Sequence, residues 1–184
     1  MKKFLLTFVV AVMALSANAQ VYVGGGLSIG GQKWDKGGKE VTTYKLIPEI
    51  GYNLNDKVGV GMAFGWQGAT RGNAKAFSAN PYVRYTFFRS GKVSFFLDGT
   101  IGYTYIYNTP VIEDVACDNA SQIFIGVKPG VAFSMSDHFS LVAHIGTLGW
   151  GQTKLDWDGY SRKLSEWEIG VDGNNIALSL YYNF

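Results

Sequence analysis

Six ionisable residues, Lys45, Glu49, Arg84, Asp98, Lys128 and His144, fall within stretches that otherwise alternate apolar and small side chains, and all six take the small-residue side. Such a set could form an ion-pair network, a proton or ion path, or an acid–base site. Arg84 and Asp98 flank one tight turn, and a register pairing Phe88 with Ser94 places them directly opposite each other. Lys128 and His144 fall within one pair of being opposite. Unpaired charges in a narrow interior cost several kcal/mol each, so a network of Arg84, Asp98, Glu49 and Lys128 is the expected solution. It reads as a structural polar core that plugs the space around it, with a relay as the competing reading.

Other chemistry is poorly supplied. The two histidines are His138, in a short turn, and His144, in mid-strand, too few for a metal centre or a nucleophilic triad. Gly24-Gly25-Gly26 and Gly30-Gly31 are not followed by a helix, so glycines that let strands bend and pack closely are favoured over a phosphate loop. Asn119-Ala-Ser121 matches a glycosylation sequon, a weak signal here. The one cysteine, Cys117, excludes an intrachain disulfide and reads as a free thiol in a loop rather than an intermolecular link. No catalytic, cofactor or metal site is expected.

The elements that carry these residues are strands. Eight alternating segments run approximately over 21–34, 42–53, 58–69, 77–88, 93–107, 122–134, 139–152 and 174–184, each about the length a tilted membrane strand needs. Tight turns at 54–56, 89–92 and 135–138 alternate with longer connections at 35–41, 70–76, 108–121 and 153–173. Pro48 to Leu54, Pro81 to Phe87 and Pro129 to Met135 align without gaps, and Leu178 to Phe184 forms a fourth copy lacking the proline, so the unit is a hairpin used four times. Each proline is expected to mark a bulge.

Residue size decides which face looks inward. Val58, Val60, Met62, Phe64 and Trp66 oppose Gly59, Gly61, Ala63, Gly65 and Gln67; Phe95, Leu97, Ile101, Tyr103, Tyr105 and Tyr107 oppose Ser94, Asp98, Thr100, Gly102 and Thr104. An eight-stranded interior is only just wide enough for side chains, so the small and polar set belongs inside and the aromatic set faces lipid. The aromatics form two girdles, with Tyr52, Tyr85, Phe87, Phe133, Phe139, Tyr182 and Phe184 near the short turns. Trp34, Tyr44, Trp66, Phe77, Tyr105, Tyr107 and Trp150 lie near the long loops.

Export is written at the start of the chain. Lys2 and Lys3 precede an apolar run from Phe4 to Leu15 and the small residues of Ala17-Asn18-Ala19, a pattern that predicts a signal peptide over 1–19 and a mature barrel domain over 20–184. The apolar run is shorter than the roughly 20 residues of a membrane anchor. Removing the two lysines leaves 14 basic residues against 14 acidic, a neutral balance that argues against nucleic acid. The 153–173 connection, with Trp157, Tyr160 and Trp167 among charged residues and Asp158-Gly159 as a hairpin signal, is the strongest candidate for surface interaction. It reads either as a protruding ribbon with a free strand edge or as a solvated loop.

The signal end, the eight segments, the four longer loops and the alternating strand Ile176 to Phe184 together resemble the small outer-membrane β-barrel family typified by OmpX and the OmpA membrane domain. The resemblance covers the whole mature chain. It implies an all-β, eight-stranded antiparallel up-and-down transmembrane β-barrel in the cell outer membrane, with both termini periplasmic, contacts to outer-membrane lipid, a monomeric state and no cofactor. It further implies that Tyr182 and Phe184 serve as the recognition signal for the barrel-assembly machinery, and no peptidoglycan-binding domain is expected after Phe184. For function it implies a non-enzymatic structural or adhesive role through the outer loops, with an extracellular protein as candidate partner. A lipid-modifying enzyme and a narrow solute channel are the alternatives, and the inward parity of His144 weighs against the enzyme.

Overall fold

Alternation of bulky and small residues dictates strands with two unlike faces, and the computed structural model is built of strands throughout its described residues, 20–32, 41–69, 75–107, 119–157, 160–171 and 177–184. They are β1 (Val21–Gln32), β2 (Val41–Asn53), β3 (Val58–Ala69), β4 (Lys75–Ser90), β5 (Val93–Tyr107), β6 (Asn119–Ser134), β7 (Phe139–His144), β8 (Gly146–Trp157), β9 (Tyr160–Val171) and β10 (Ala177–Asn183). From β1 to β6 each strand pairs antiparallel with the next. β6 then pairs with β7 near the short turns and with β8 toward the long loops, while β10 joins β7 to β1. The ring is a closed eight-stranded antiparallel up-and-down barrel, in which β7 and β8 lie in line as one strand and β10 completes the circle. Among the described residues no helix is long and apolar enough to cross a membrane; strands do the crossing.

The short turns are locally encoded. Asn55 Oδ1 accepts from the Lys57 and Val58 amides at 2.9 Å, an Asx turn, and Ser136 Oγ accepts from the Phe139 amide at 3.1 Å. Ser90 faces Val93 across a two-residue turn in which Gly91 sits at φ 55°, the left-handed conformation glycine adopts without a Cβ penalty. The C-terminal strand is tied on both sides, since the Asn183 amide donates to His138 O at 2.7 Å and the Phe184 amide to Val21 O at 3.0 Å.

Three expectations are corrected. The turn after β4 pairs Phe88 with Phe95 and Arg89 with Ser94, one residue off the expected register, and a bulge at Phe87 restores the alignment that sets Arg84 opposite Asp98. The prolines do not each make a bulge. Pro48 and Pro81 interrupt the ladder on one side with the register unchanged beyond them, because a lost N–H removes a bond without adding a residue. Only at Pro129 does the register shift, and there Ile145 divides β7 from β8.

The third correction concerns the interior. β3 and most of β5 turn small and polar residues inward, yet Tyr22, Tyr82, Phe96 and Tyr181 are also inside and form the buried core. Facing glycines supply the room: a Cβ on Gly51 would run into the Tyr22 ring, on Gly61 into the Tyr82 ring, and on Gly130 into the Phe96 ring. Gly51→Ala is therefore expected to destabilise the refolded barrel by about 1–3 kcal/mol, the usual cost of overpacking, read as a lower urea midpoint.

The seventh connection continues as paired strands: β8 and β9 form a continuous hairpin from the Gly146–Val171 pair to the Trp157–Tyr160 pair. On its other side β8 is accompanied by β6 as far as Asn119 opposite Asp156. The second edge of β9 has no partner strand among the described residues. Trp34 and Cys117, and the first, third and fifth long loops over 33–40, 70–74 and 108–118, lie outside those residues, as does the 158–159 turn.

The outer face is apolar. Leu97, Ile101, Ile125, Leu148 and Leu180 are exposed at mid-strand, with Tyr85, Phe133 and Phe139 toward the short turns and Trp66, Phe77 and Trp150 toward the long loops. A contiguous apolar band between aromatic girdles is stable only against lipid.

Candidate functional site

Arg84, on the inward face of β4, is the hub of the interior. Its Nε and Nη2 donate to Asp98 Oδ1 and Oδ2, each at 2.8 Å, in a two-pronged pair, and Nη2 also donates to the Tyr181 hydroxyl at 3.2 Å. Tyr181 donates in turn to Glu49 Oε1, which lies 3.8 Å from Arg84 Nη2. His144 Nε2 meets Asp98 Oδ2 at 2.9 Å. Arg84 is only 8% exposed, so these partners, and not water, satisfy its charge.

Aromatic rings enclose the guanidinium. Its carbon lies 4.1 Å from the Phe96 centroid, 5.3 Å from Tyr82, 5.4 Å from Tyr181 and 5.8 Å from Tyr22. Tyr22 stacks on Tyr181 at 5.3 Å, its hydroxyl meets that of Tyr82 at 2.8 Å, and the His144 ring stands edge-on to Phe96 at 5.5 Å. The layer thus draws on β1, β2, β4, β5, β7 and β10, and it separates two cavities. One, of about 510 Å³ toward the long loops, is lined by Glu49, Asp98 and Tyr82; the other, of about 200 Å³ toward the short turns, is lined by Arg84, Thr86 and Gly59.

Of the six ionisable residues singled out in the sequence, Glu49, Arg84, Asp98 and His144 come together. Lys128 faces Asp98 across β5 and β6, but its Nζ lies 5.7 Å from the Phe124 ring centroid and makes no ion pair among the described residues, and Lys45 is exposed in the larger cavity. The expected network therefore holds His144 and Tyr181 where Lys128 was placed. Tyr22, Tyr82, Phe96 and Tyr181 were missed. Their signal was parity: each shares the inward phase of Arg84 or Asp98 or of the small residues on its own strand.

His144 has Asp98 as orienting carboxylate, but among the described residues no hydroxyl or thiol lies within hydrogen-bond reach of the imidazole, and no three His, Cys, Asp or Glu groups converge as metal ligands. At the other candidate positions, Tyr182 is part-buried in a ring cluster 5.2 Å from Phe139 and 5.0 Å from Phe184. Trp157 ends β8 opposite Tyr160, which is 72% exposed. Trp167, 76% exposed, pairs with Trp150 on the outer face, which makes it a girdle residue and not part of the hairpin tip.

A solved structure shares this fold. The crystal structure of Neisserial surface protein A is similar over 89% of this chain and 97% of that one, with 14% identity and a TM-score of 0.53. The Yersinia pestis outer membrane protein Ail, whose backbone structure is known in a phospholipid bilayer nanodisc, covers 90% of this chain and 99% of its own at 17% identity and a TM-score of 0.46. No curated protein matches the sequence. Residues 4–184 match the outer membrane protein beta-barrel domain, and the chain belongs to that family.

Proposed function

We propose that the protein is a non-enzymatic, monomeric outer-membrane protein with a structural or adhesive role carried by its extracellular loops. The observation that supports this most is the buried Arg84 layer, which fills the lumen between the two cavities and leaves the outer surfaces as the working parts. The Trp157–Tyr160 end of the β8–β9 hairpin, beside the open edge of β9, is the natural contact for an extracellular protein strand. Signal cleavage before Gln20 and periplasmic short turns and termini complete the reading.

The test is adhesion. Cells displaying the protein should bind host surfaces, and replacing residues 157–160 with Gly and Ser should abolish binding while heat-modifiable gel migration still reports a folded barrel. Undiminished binding by that variant would overturn the role given to the hairpin. A lipid-hydrolase assay of the refolded barrel should give no product.

Biogenesis supplies a separate prediction. Tyr182 and Phe184 are the residues we assign to recognition by the barrel-assembly machinery. Phe184→Ala should lower the yield of folded barrel in the outer membrane severalfold with signal cleavage intact; full yield would refute the assignment.

A further inference from the structure

The larger cavity holds two cations that the Arg84 layer does not use. Lys45, on β2 opposite Gln67, and Lys128, on β6, both line it; Lys128 is repelled by Lys45 and attracted, without direct contact, by Asp98, Glu49 and Glu168 of the same lining. No carboxylate approaches either ammonium within 4.0 Å among the described residues. The carboxylates below are committed elsewhere: both Asp98 oxygens to Arg84 and His144, and Glu49 Oε1 to Tyr181 and Arg84. Glu168, the remaining acid at the wall, stands on the exposed strand β9 and pairs with neither lysine. Ser78, Asn80, Thr104 and Gln122 line the same cavity with neutral hydrogen-bonding groups.

We propose that this cavity is a binding site for a phosphate-bearing ligand held between Lys45 and Lys128. Two ammonium groups of like charge in one partly enclosed space are relieved best by a group carrying up to two negative charges, which a phosphate monoester does near neutral pH and a single carboxylate does not. Lysine serves phosphate well as a point charge, and hydroxyl and amide side chains can hydrogen-bond the remaining oxygens. The cavity volume of about 510 Å³ lies in the range of small-molecule sites, and the Arg84 layer forms its floor. The phosphate comes either from a free solute or from a lipid headgroup at the rim.

The test uses the full mature chain refolded into phosphatidylcholine bilayers, with inorganic phosphate as probe and calorimetry as readout. Saturable binding with a Kd in the millimolar range or tighter is expected, weakening as sodium chloride is raised. Lys45→Gln and Lys128→Gln should each weaken it about tenfold, Lys→Arg at either position should restore most of it, and Glu168→Gln should tighten it. Gel migration verifies that each variant is folded. Phosphatidic acid doped into the bilayer distinguishes the sources: competition with the probe assigns a lipid-borne phosphate, and no competition a soluble one. Absence of saturable binding by the unmodified protein up to roughly 10 mM phosphate, or equal binding by the Lys45→Gln/Lys128→Gln double variant, would overturn the proposal.

Discussion

Arg84→Met lowers the stability of the folded barrel by about 3–5 kcal/mol, the loss that follows when one partner of a buried ion pair is removed and the other stays. The reason lies in what remains. Asp98 is 3% exposed and keeps only His144, while Glu49, at 8%, keeps only the Tyr181 hydroxyl, so two carboxylates are left in a buried layer without their cation. Urea titration of the refolded protein reads the effect as a lower midpoint. Arg84→Met/Asp98→Leu should recover part of the loss, because removing both partners avoids the stranded charge, and the difference gives their coupling energy. A single variant as stable as the parent would mean that water, not Arg84, solvates the acids.

Phe96→Ala is expected to cost a similar amount, about 3–5 kcal/mol, by a different route. Phe96 is 1% exposed, covers one face of the guanidinium at 4.1 Å, meets His144 edge-on and fills the space that Gly130 leaves by having no Cβ. Its removal leaves a void in a layer that cannot collapse, since closed hydrogen-bonded strands fix the wall on every side. Phe96→Leu should cost distinctly less. Equal midpoints for the parent and the alanine variant would show that the layer is loosely packed.

How far these residues could be read from the sequence follows from the physics of each. Arg84 and Asp98 were legible because a strand period of two and a tight turn constrain position strongly, and a single bulge at Phe87 was enough to compensate for the turn's altered register. Tyr181 shares the inner phase of the last strand with Ser179 by the same alternation. Its role was hidden because size alone argued against aromatics inside, whereas glycines at 24, 51, 61 and 130 remove a Cβ where each inward ring needs space. That complementarity spans neighbouring strands, so it appears only once register is known. Lys128 was misassigned for a related reason: it does face Asp98, but Arg84 and His144 already occupy the carboxylate oxygens. The β8–β9 hairpin was visible in Asp158-Gly159, while its attachment along β6 depended on non-local pairing.

The central claim is that one buried layer closes the lumen, and the current through single refolded molecules in a planar bilayer tests it most directly. The unmodified protein is predicted to give no stepwise openings at moderate voltage, because the Arg84 network and its four rings lie between the two cavities. Sustained, stepwise conductance from the unmodified barrel would contradict it.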